Sequence, residues 1–155
     1  MDSLLAVDLG LRTGLALFGH DGRLWWYRSH NFGTTARLRR GVRGVLANLS
    51  HLACLVLEGG GTLADIWIRE AARRGIPVRQ ISAEAWRQQL LYPRQQRHGT
   101  QAKDSAAAMA RRVIAWSQAR RPTALRDDAA EAILIGLWGV LEVGWLEYLP
   151  DELRR

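Results

Sequence analysis

The order of apolar runs in the first part of the chain is the feature that most limits its fold. Three runs, residues 3–10, 13–20 and 23–32, follow one another with short connections containing glycine and polar residues. Consecutive strands joined by such short connections predict an antiparallel meander. One wall of the molecule is therefore expected to be a three-strand meander.

After the meander, patterns of helical and extended spacing alternate. The predicted elements are a helix over 35–50, a strand ending at Glu58, a helix over 63–75, a strand over 76–81, a helix over 83–91, a polar and basic loop over 92–101, a helix over 102–118 and a last helix from about Leu125 to Leu146. Strands joined through helices run parallel. The order βββαβαβααα thus predicts an α/β fold, in which a mixed sheet is covered by helices.

The size of the chain favours one domain. With 155 residues, 48% of them hydrophobic, residues 1–155 can bury one sizeable core, whereas two cores would be cramped. No apolar run approaches the roughly 18 residues of a membrane span. The start, MDSLLAVD, lacks the basic head and apolar region of a signal peptide. We therefore expect a soluble, cytoplasmic protein without a membrane partner.

Charge gives the first indication of a partner. The net charge of +7 and the pI near 10.9 favour binding to a polyanion, of which nucleic acid is the first candidate. Lys103 is the only lysine among 22 basic residues, so a genome rich in arginine codons is the alternative explanation. Cys54, the single cysteine, lies in an apolar run, which predicts a buried thiol and excludes a disulfide framework or a Cys/His zinc site.

Four acids interrupt apolar segments at places where a carboxylate is costly. Asp8 and Glu58 stand at the ends of two strands that are otherwise apolar, and an unpaired carboxylate in a buried strand is unfavourable. On the last helix, Asp128 and Glu131 are three residues apart and therefore share a face. That face continues with apolar residues, so we expect the two acids to point toward the strand ends.

Converging carboxylates need a compensating cation. Oxygen ligands without Cys or His select Mg²⁺ or Mn²⁺, and a pair of ions about 3.5 to 4 Å apart is a common device for phosphodiester hydrolysis. A structural explanation is also open, in which Asp8 caps a turn, Glu58 pairs with an arginine, and Asp127 and Asp128 cap the last helix.

The motifs VDLGLRTGLALF around Asp8, VLEGGG around Glu58 and DAAEA from Asp128 to Ala132 resemble, in order and spacing, the RuvC family of Holliday junction resolvases. The resemblance extends over about residues 3–142 and implies a ribonuclease H-like fold. It also implies that four catalytic acids hold two Mg²⁺ ions, with Mn²⁺ as a substitute; the matching positions are Asp8, Glu58, Asp128 and Glu131. The family usually has Asp where this chain has Glu131, and Asp127 has no clear counterpart.

Basic residues near these acids are also expected from the resemblance. A segment like G-x-A-x-K opens the penultimate helix of the family, and GTQAKDSAAAMA supplies Lys103, whose compact ammonium could reach a scissile phosphate. The preceding loop brings Arg94, Arg97 and His98, which we predict to contact phosphates together with Lys103. The alternative is an ordinary solvated loop and a surface lysine.

Aromatic residues offer a further hypothesis about nucleic-acid binding. Trp25 and Trp26 are adjacent in a strand and face opposite sides, so one of them is expected to be exposed. Trp86 and Tyr92 flank the basic loop and are possible groups for stacking on bases, but packing in the core is the favoured explanation for each.

The function implied by the resemblance is a structure-selective endodeoxyribonuclease that cuts four-way DNA junctions by paired symmetric nicks. A two-fold symmetric substrate implies a C2 homodimer with one site per subunit. Three alternatives are a ribonuclease H-like nuclease acting on RNA, a junction-binding module without catalysis, and a sugar kinase or actin-like ATPase. The last begins with a similar glycine motif but needs two such domains, and the inactive module would need a lost acid.

Overall fold

Strands and helices follow one another in the predicted order. The computed structural model describes residues 1–91 and 99–154. Its elements are β1 (Ser3–Asp8), β2 (Arg12–Gly19), β3 (Leu24–Asn31), α1 (Thr35–Ala47), β4 (Leu52–Glu58), α2 (Gly61–Arg73), β5 (Val78–Ile81), α3 (Ala83–Leu90), α4 (Gly99–Ser117), α5 (Asp127–Glu142) and a short 3-10 helix (Asp151–Leu153).

The five strands form one sheet in the order β3-β2-β1-β4-β5. The first three strands pair antiparallel, as the meander requires, while β4 runs parallel to β1 and β5 parallel to β4. The central strand β1 ends at Asp8, which lies opposite Gly14 on one side and Glu58 on the other. The prediction of a mixed α/β sheet covered by helices is confirmed.

The sheet separates two apolar layers, because successive strand residues point to opposite faces. Leu5 and Val7 of β1 face the layer closed by α1 and α2, and Leu4 and Ala6 face the layer closed by α3, α4 and α5. Cys54 belongs to the second layer and is only 6% exposed, as predicted for a buried thiol. The face that carries Leu4 and Ala6 continues to Asp8.

Helix α5 lies closely against the centre of the sheet because small residues permit it. A Cβ on Gly136 would come within 2.2 Å of the Phe18 ring, and one on Gly139 within 3.1 Å of Val56. The residues of α5 from Ala132 to Val140 are all buried. This contact fixes where the polar start of α5 meets the sheet.

Most differences from the predicted elements lie at helix ends. Helix α5 ends at Glu142 rather than near Leu146, because Gly144 adopts a φ of +82° that turns the chain away from the helix. The 3-10 helix was not predicted. Within the described residues, none of the helices combines the length and hydropathy that crossing a membrane requires. That residues 1–155 form a single domain stays a prediction.

Candidate metal centre

Two acids stand side by side at the ends of adjacent strands. Asp8 and Glu58 are register partners across the parallel pair β1–β4, and each is the last residue of its strand. Both are partly buried. Since each follows a strand residue of the α5 layer at a spacing of two, both carboxylates lie on the α5 side of the sheet.

Helix α5 brings a third acid to the same place. One carboxylate oxygen each from Asp8, Glu58 and Glu131 can be chosen so that all three oxygens lie within 4.8 Å of one another. Gly14 makes this approach possible, because a Cβ there would lie 2.0 Å from the carbonyl oxygen of Asp128. The first turn of α5 therefore rests on the backbone of β2 beside the end of β1.

The crowding of acids changes their protonation. Burial raises the pKa of Asp8, and the neighbouring charges of Glu131, Glu58 and Asp128 together with a hydrogen bond to Glu131 raise it further, from 3.8 to about 8. Burial also raises the pKa of Glu58, although a hydrogen bond from Trp86 opposes this. At neutral pH the three carboxylates cannot all be charged unless a cation compensates them.

Trp86 orients Glu58. Its indole Nε1–H donates a hydrogen bond of 2.7 Å to Glu58 Oε2, and its side chain is fully buried at 0% exposure. The hypothesis that Trp86 stacks on bases is therefore wrong, because no ring face is open to a ligand. A buried indole needs an acceptor for its N–H, and Glu58 provides it.

Asp128 lies next to the three grouped acids but has partners of its own. Its Oδ2 accepts a 2.9 Å hydrogen bond from Ser29 Oγ of β3, and its Oδ1 accepts one of 2.7 Å from the backbone N–H of Ala129. It is not among the acids whose oxygens lie within 4.8 Å of one another, although its charge contributes to the raised pKa of Asp8.

Lys103 stands at the border of this site. It lines a small surface hollow together with Glu131, and its Nζ lies 3.9 Å from Asp127 Oδ2. Both members of that pair are more than half exposed, which makes the pair weak and leaves the ammonium accessible. Arg87 of α3 approaches Glu131 from the other side, with 3.9 Å between Nη2 and Oε1.

Two solved structures are similar to the whole chain. The RuvC of T. thermophilus in complex with a Holliday junction substrate matches with a TM-score of 0.65 and 18% identity, covering 93% of this chain and 96% of that one. A Thermus thermophilus RuvC structure matches with a TM-score of 0.65 and 19% identity over 92% and 96%. No protein-family model and no curated protein sequence matches.

The chain has the RuvC fold. The expectation of a ribonuclease H-like sheet is thereby confirmed at the level of the fold. At 18% and 19% identity the likeness extends to the fold alone.

Within this RuvC fold, the grouped acids fit a divalent metal ion. The ligand set consists of three carboxylates, and in the described part of the chain no His or Cys joins it. Hard cations such as Mg²⁺ and Mn²⁺ prefer such a set. Burial and, at Asp8, neighbouring negative charge raise the pKa values of Asp8 and Glu58. A bound cation would supply the positive charge that lets both carboxyl groups ionise. These acids could therefore hold a metal ion.

Some predicted residues of the RuvC-like site lie outside the described residues: Arg94, Arg97, His98 and Tyr92. Trp25 is exposed, as expected for one of the adjacent pair, and Trp26 is partly buried. Ser29 was missed by the sequence analysis, since only the strand register places it near Asp128. Trp86 was considered for a different role.

Proposed function

We propose that this chain is a metal-dependent endodeoxyribonuclease that resolves four-way DNA junctions by paired symmetric nicks. One observation carries the proposal: in a RuvC fold, Asp8, Glu58 and Glu131 present carboxylate oxygens within 4.8 Å of one another at the ends of β1 and β4. The net charge of +7 supports a nucleic acid as substrate. The T. thermophilus RuvC with the same fold was solved with a Holliday junction.

The acids of the site and Lys103 would have different roles in the reaction. Asp8, Glu58 and Glu131 would hold the cation. Asp128, whose charge contributes to the raised pKa of Asp8, would be the fourth acid of the set. A divalent cation held there supplies Lewis-acid polarisation of the scissile phosphodiester. Lys103, with a side chain 58% exposed, would neutralise charge that develops on the phosphate oxygens.

Neighbouring side chains would keep this arrangement fixed. Trp86 holds Glu58 from the α3 side, and Ser29 holds Asp128 from the β3 side. Because both acids are already oriented, little reorganisation is needed when the substrate binds. We propose two Mg²⁺ ions per site, replaceable by Mn²⁺, as the resemblance to resolvases implies. Equilibrium dialysis with Mn²⁺ would distinguish one bound ion from two.

A C2 homodimer is part of the proposal. A four-way junction has two-fold symmetry, so two sites related by the same symmetry would cut opposite strands at equivalent positions. Light scattering during size-exclusion chromatography should give a mass of two chains. A monomeric mass in the presence of junction DNA would contradict this part of the proposal.

The test of the function is strand cleavage of defined nucleic acids. A labelled immobile four-way DNA junction, a linear duplex of the same sequence and an RNA/DNA hybrid are incubated with the protein in Mg²⁺ or EDTA. We expect paired nicks in the junction only, absent in EDTA and in Asp8→Asn. The matched control is Asp65→Asn, which changes an exposed acid on α2 and should nick at the wild-type rate.

Two other outcomes would redirect the assignment. Cleavage of RNA or of the hybrid, with the junction left intact, would make the chain an RNA nuclease with the same acids. Binding of the junction without any cleavage in Mg²⁺ or Mn²⁺ would leave a binding module. Nicking that persists in Asp8→Asn would exclude the acidic group as the active site.

A further inference from the structure

A groove runs along the outer edge of the sheet, beside β3. Its volume is about 490 Å³, and its two walls are strand β3 and the segment that joins α4 to α5. β3 is the first strand in the sheet order, so within the described residues its outer edge has no strand partner. The groove is separate from the grouped acids but opens near them.

One hydrogen bond joins the two walls of the groove, and others lie beside it. Tyr27 Oη donates a 2.5 Å hydrogen bond to the carbonyl oxygen of Arg120, and the backbone N–H of Leu24 donates one of 2.9 Å to Ser117 Oγ. Arg23 donates to the carbonyl oxygen of Trp116 and stacks on that ring. The joining segment is thus tied to β3 through Tyr27, and the last turn of α4 is tied to the start of β3.

Every charged side chain that lines the groove is an arginine. Four exposed arginines line it: Arg28, Arg120, Arg121 and Arg126. None of them forms an ion pair within residues 1–91 and 99–154. On the opposite side of the sheet, by contrast, Glu70 pairs with three arginines. Arg28 lies over the Trp26 ring, 4.6 Å from its centroid. Guanidinium groups that form no ion pair favour phosphate ligands.

An aromatic platform lies at the same place. Trp25 lines the groove and is 42% exposed, more than any other tryptophan of the chain. Its indole rests on Gly19, where a Cβ would lie 2.3 Å from the ring. The ring is therefore supported from the strand while a large part of its surface stays open. Such rings stack on unpaired bases.

The groove borders the candidate metal centre, although none of the grouped acids lines it. Ser29 lines its wall and donates the hydrogen bond to Asp128 Oδ2. Arg126, another lining residue, is the N-cap of α5, whose second residue is Asp128. A strand that enters the acidic site could thus continue along β3 without leaving the protein surface.

We propose that this groove binds a single DNA strand that leaves the active site, with phosphates paired to the groove arginines and a base stacked on Trp25. A duplex does not fit this description, because paired and stacked bases offer no free face to an indole. The inference rests on the proposed nuclease function, and it assigns the path of the substrate strand outside the acids.

The first experiment measures binding without cleavage. Fluorescence anisotropy in EDTA gives the affinity of a labelled single-stranded oligonucleotide and of the four-way junction at several salt concentrations. We compare Arg28→Ala/Arg121→Ala in the groove with Arg39→Ala/Arg40→Ala, two exposed arginines of α1. For the oligonucleotide, the slope of log affinity against log salt should be shallower in the groove variant than in the α1 variant by about 1.4, which is about 0.7 for each lost phosphate contact of a single strand.

The second experiment tests the platform. Trp25→Ala should weaken oligonucleotide binding by about 5- to 100-fold, the range found for loss of base stacking, and Trp25→Phe should keep most of the affinity. Tyr148→Ala, which removes a ring that is 65% exposed elsewhere, is the matched control and should bind like the wild type. Cross-linking with 5-iodouracil DNA should label a peptide that contains Trp25.

Cleavage measured in parallel separates the two proposals. One possible result is that the wild type nicks the junction and the groove variants have the same affinity, salt slope and Michaelis constant as the wild type. This result would overturn the groove assignment and leave the nuclease function standing. If the groove variants lose oligonucleotide affinity but the wild type cleaves no nucleic acid, the groove assignment stands and the nuclease function falls. Equal thermal unfolding of the variants excludes misfolding as the cause.

Discussion

A hydrogen bond from the buried Trp86 connects the apolar core to Glu58 of the candidate site. Replacing Trp86 by Phe keeps an aromatic ring but removes the 2.7 Å hydrogen bond to Glu58. Because partners of ligating carboxylates typically contribute about 10- to 100-fold to metal affinity or activity, we expect Trp86→Phe to raise the Mg²⁺ concentration needed for nicking by that factor. Nicking rates over a Mg²⁺ series measure it.

The matched control is Trp67→Phe on the other side of the sheet. Trp67 is also fully buried, but its Nε1 has no hydrogen-bond partner among the described residues. Trp67→Phe should therefore leave the Mg²⁺ dependence of nicking unchanged. Equal Mg²⁺ dependence of both variants would mean that the hydrogen bond to Glu58 does not matter for the site.

Asp8 makes the stability of the metal-free protein depend on pH. Its pKa is about 8 in the folded chain, mainly because of burial, against 3.8 for a free side chain. Between these values the folded state holds a proton that the unfolded state has lost, so the free energy of unfolding falls as pH rises from about 4 to 8. In EDTA, we expect Asp8→Asn to be less sensitive to pH, measured by urea unfolding.

The raised pKa of Asp8 also determines how much Mg²⁺ stabilises the protein at different pH values. Mg²⁺ should raise the melting temperature of the wild type more at pH 8 than at pH 5.5, since protons compete with it for the carboxylates. Asp8→Asn should show little response at either pH. A wild-type response that is larger at pH 5.5 would contradict the raised pKa of Asp8.

The acids of the site were predictable from the sequence, whereas the side chains that hold them were not. Asp8, Glu58 and Glu131 interrupt apolar patterns, and the cost of an unpaired buried carboxylate makes such positions visible. The hydrogen bond from Ser29 to Asp128 joins residues 99 positions apart in the sequence. No local pattern encodes it, because it depends on the pairing of β2 with β3 and on the contact between β2 and α5.

Helix α5 depends on Gly14 for its position on the sheet. A methyl group at Gly14 would meet the carbonyl carbon of Asp128 at 2.4 Å, and neither backbone can yield without moving the start of α5. We expect Gly14→Ala to cost about 1 to 3 kcal/mol of stability, as overpacking does, and to lower nicking more than stability explains. Urea unfolding and nicking rates measure the two effects.

Gly44→Ala in α1 is the control for this substitution. Apart from its own stretch of helix, no atom of the described residues lies within 4 Å of the position that its Cβ would take, so this change should leave nicking unaffected. In a helix, Ala is favoured over Gly by about 0.5 to 1 kcal/mol, and the variant should be slightly more stable. Gly14→Ala with wild-type nicking would show that α5 tolerates a shift.

The elements themselves were largely predictable, whereas their ends were less so. Apolar periodicity identified all five strands and α1 to α5. The predicted start of α2 at residue 63 is two residues late, because Gly60 and Gly61 read as a loop while Gly61 begins the helix with a φ of +80°. The spacing of apolar residues cannot locate the start of a helix whose first residues are not apolar.

Some arginines on the surface of the molecule form ion pairs, and three of these pairs share one carboxylate, that of Glu70. Glu70 of α2 contacts Arg43 of α1, Arg73 at the end of its own helix and the C-cap residue Arg74. Burial alone would raise the pKa of Glu70, but hydrogen bonds from Arg74 and Arg73 lower it below 4.5. One carboxylate thus links α1 and α2 in addition to their apolar contact.

This joint should weaken in acid. A carboxyl whose pKa is lowered in the folded state stabilises the protein above its usual pKa, and this contribution is lost as pH falls through the folded value. We expect Glu70→Gln to be less stable than the wild type at pH 7, with the difference shrinking below about pH 4. Chemical unfolding at both pH values measures it, with Glu84→Gln, an exposed acid of α3, as the control. A constant difference would contradict the role of its charge.

The open edges of the sheet have one more consequence. A strand without a neighbour exposes amide groups that a second copy could pair with, which leads to aggregation. At one end β5 is only four residues long and carries the exposed Arg79, and at the other β3 carries the exposed Arg28. The guanidinium groups that would attract a nucleic acid also repel an identical edge, so the same charges protect the protein from polymerising through its own backbone.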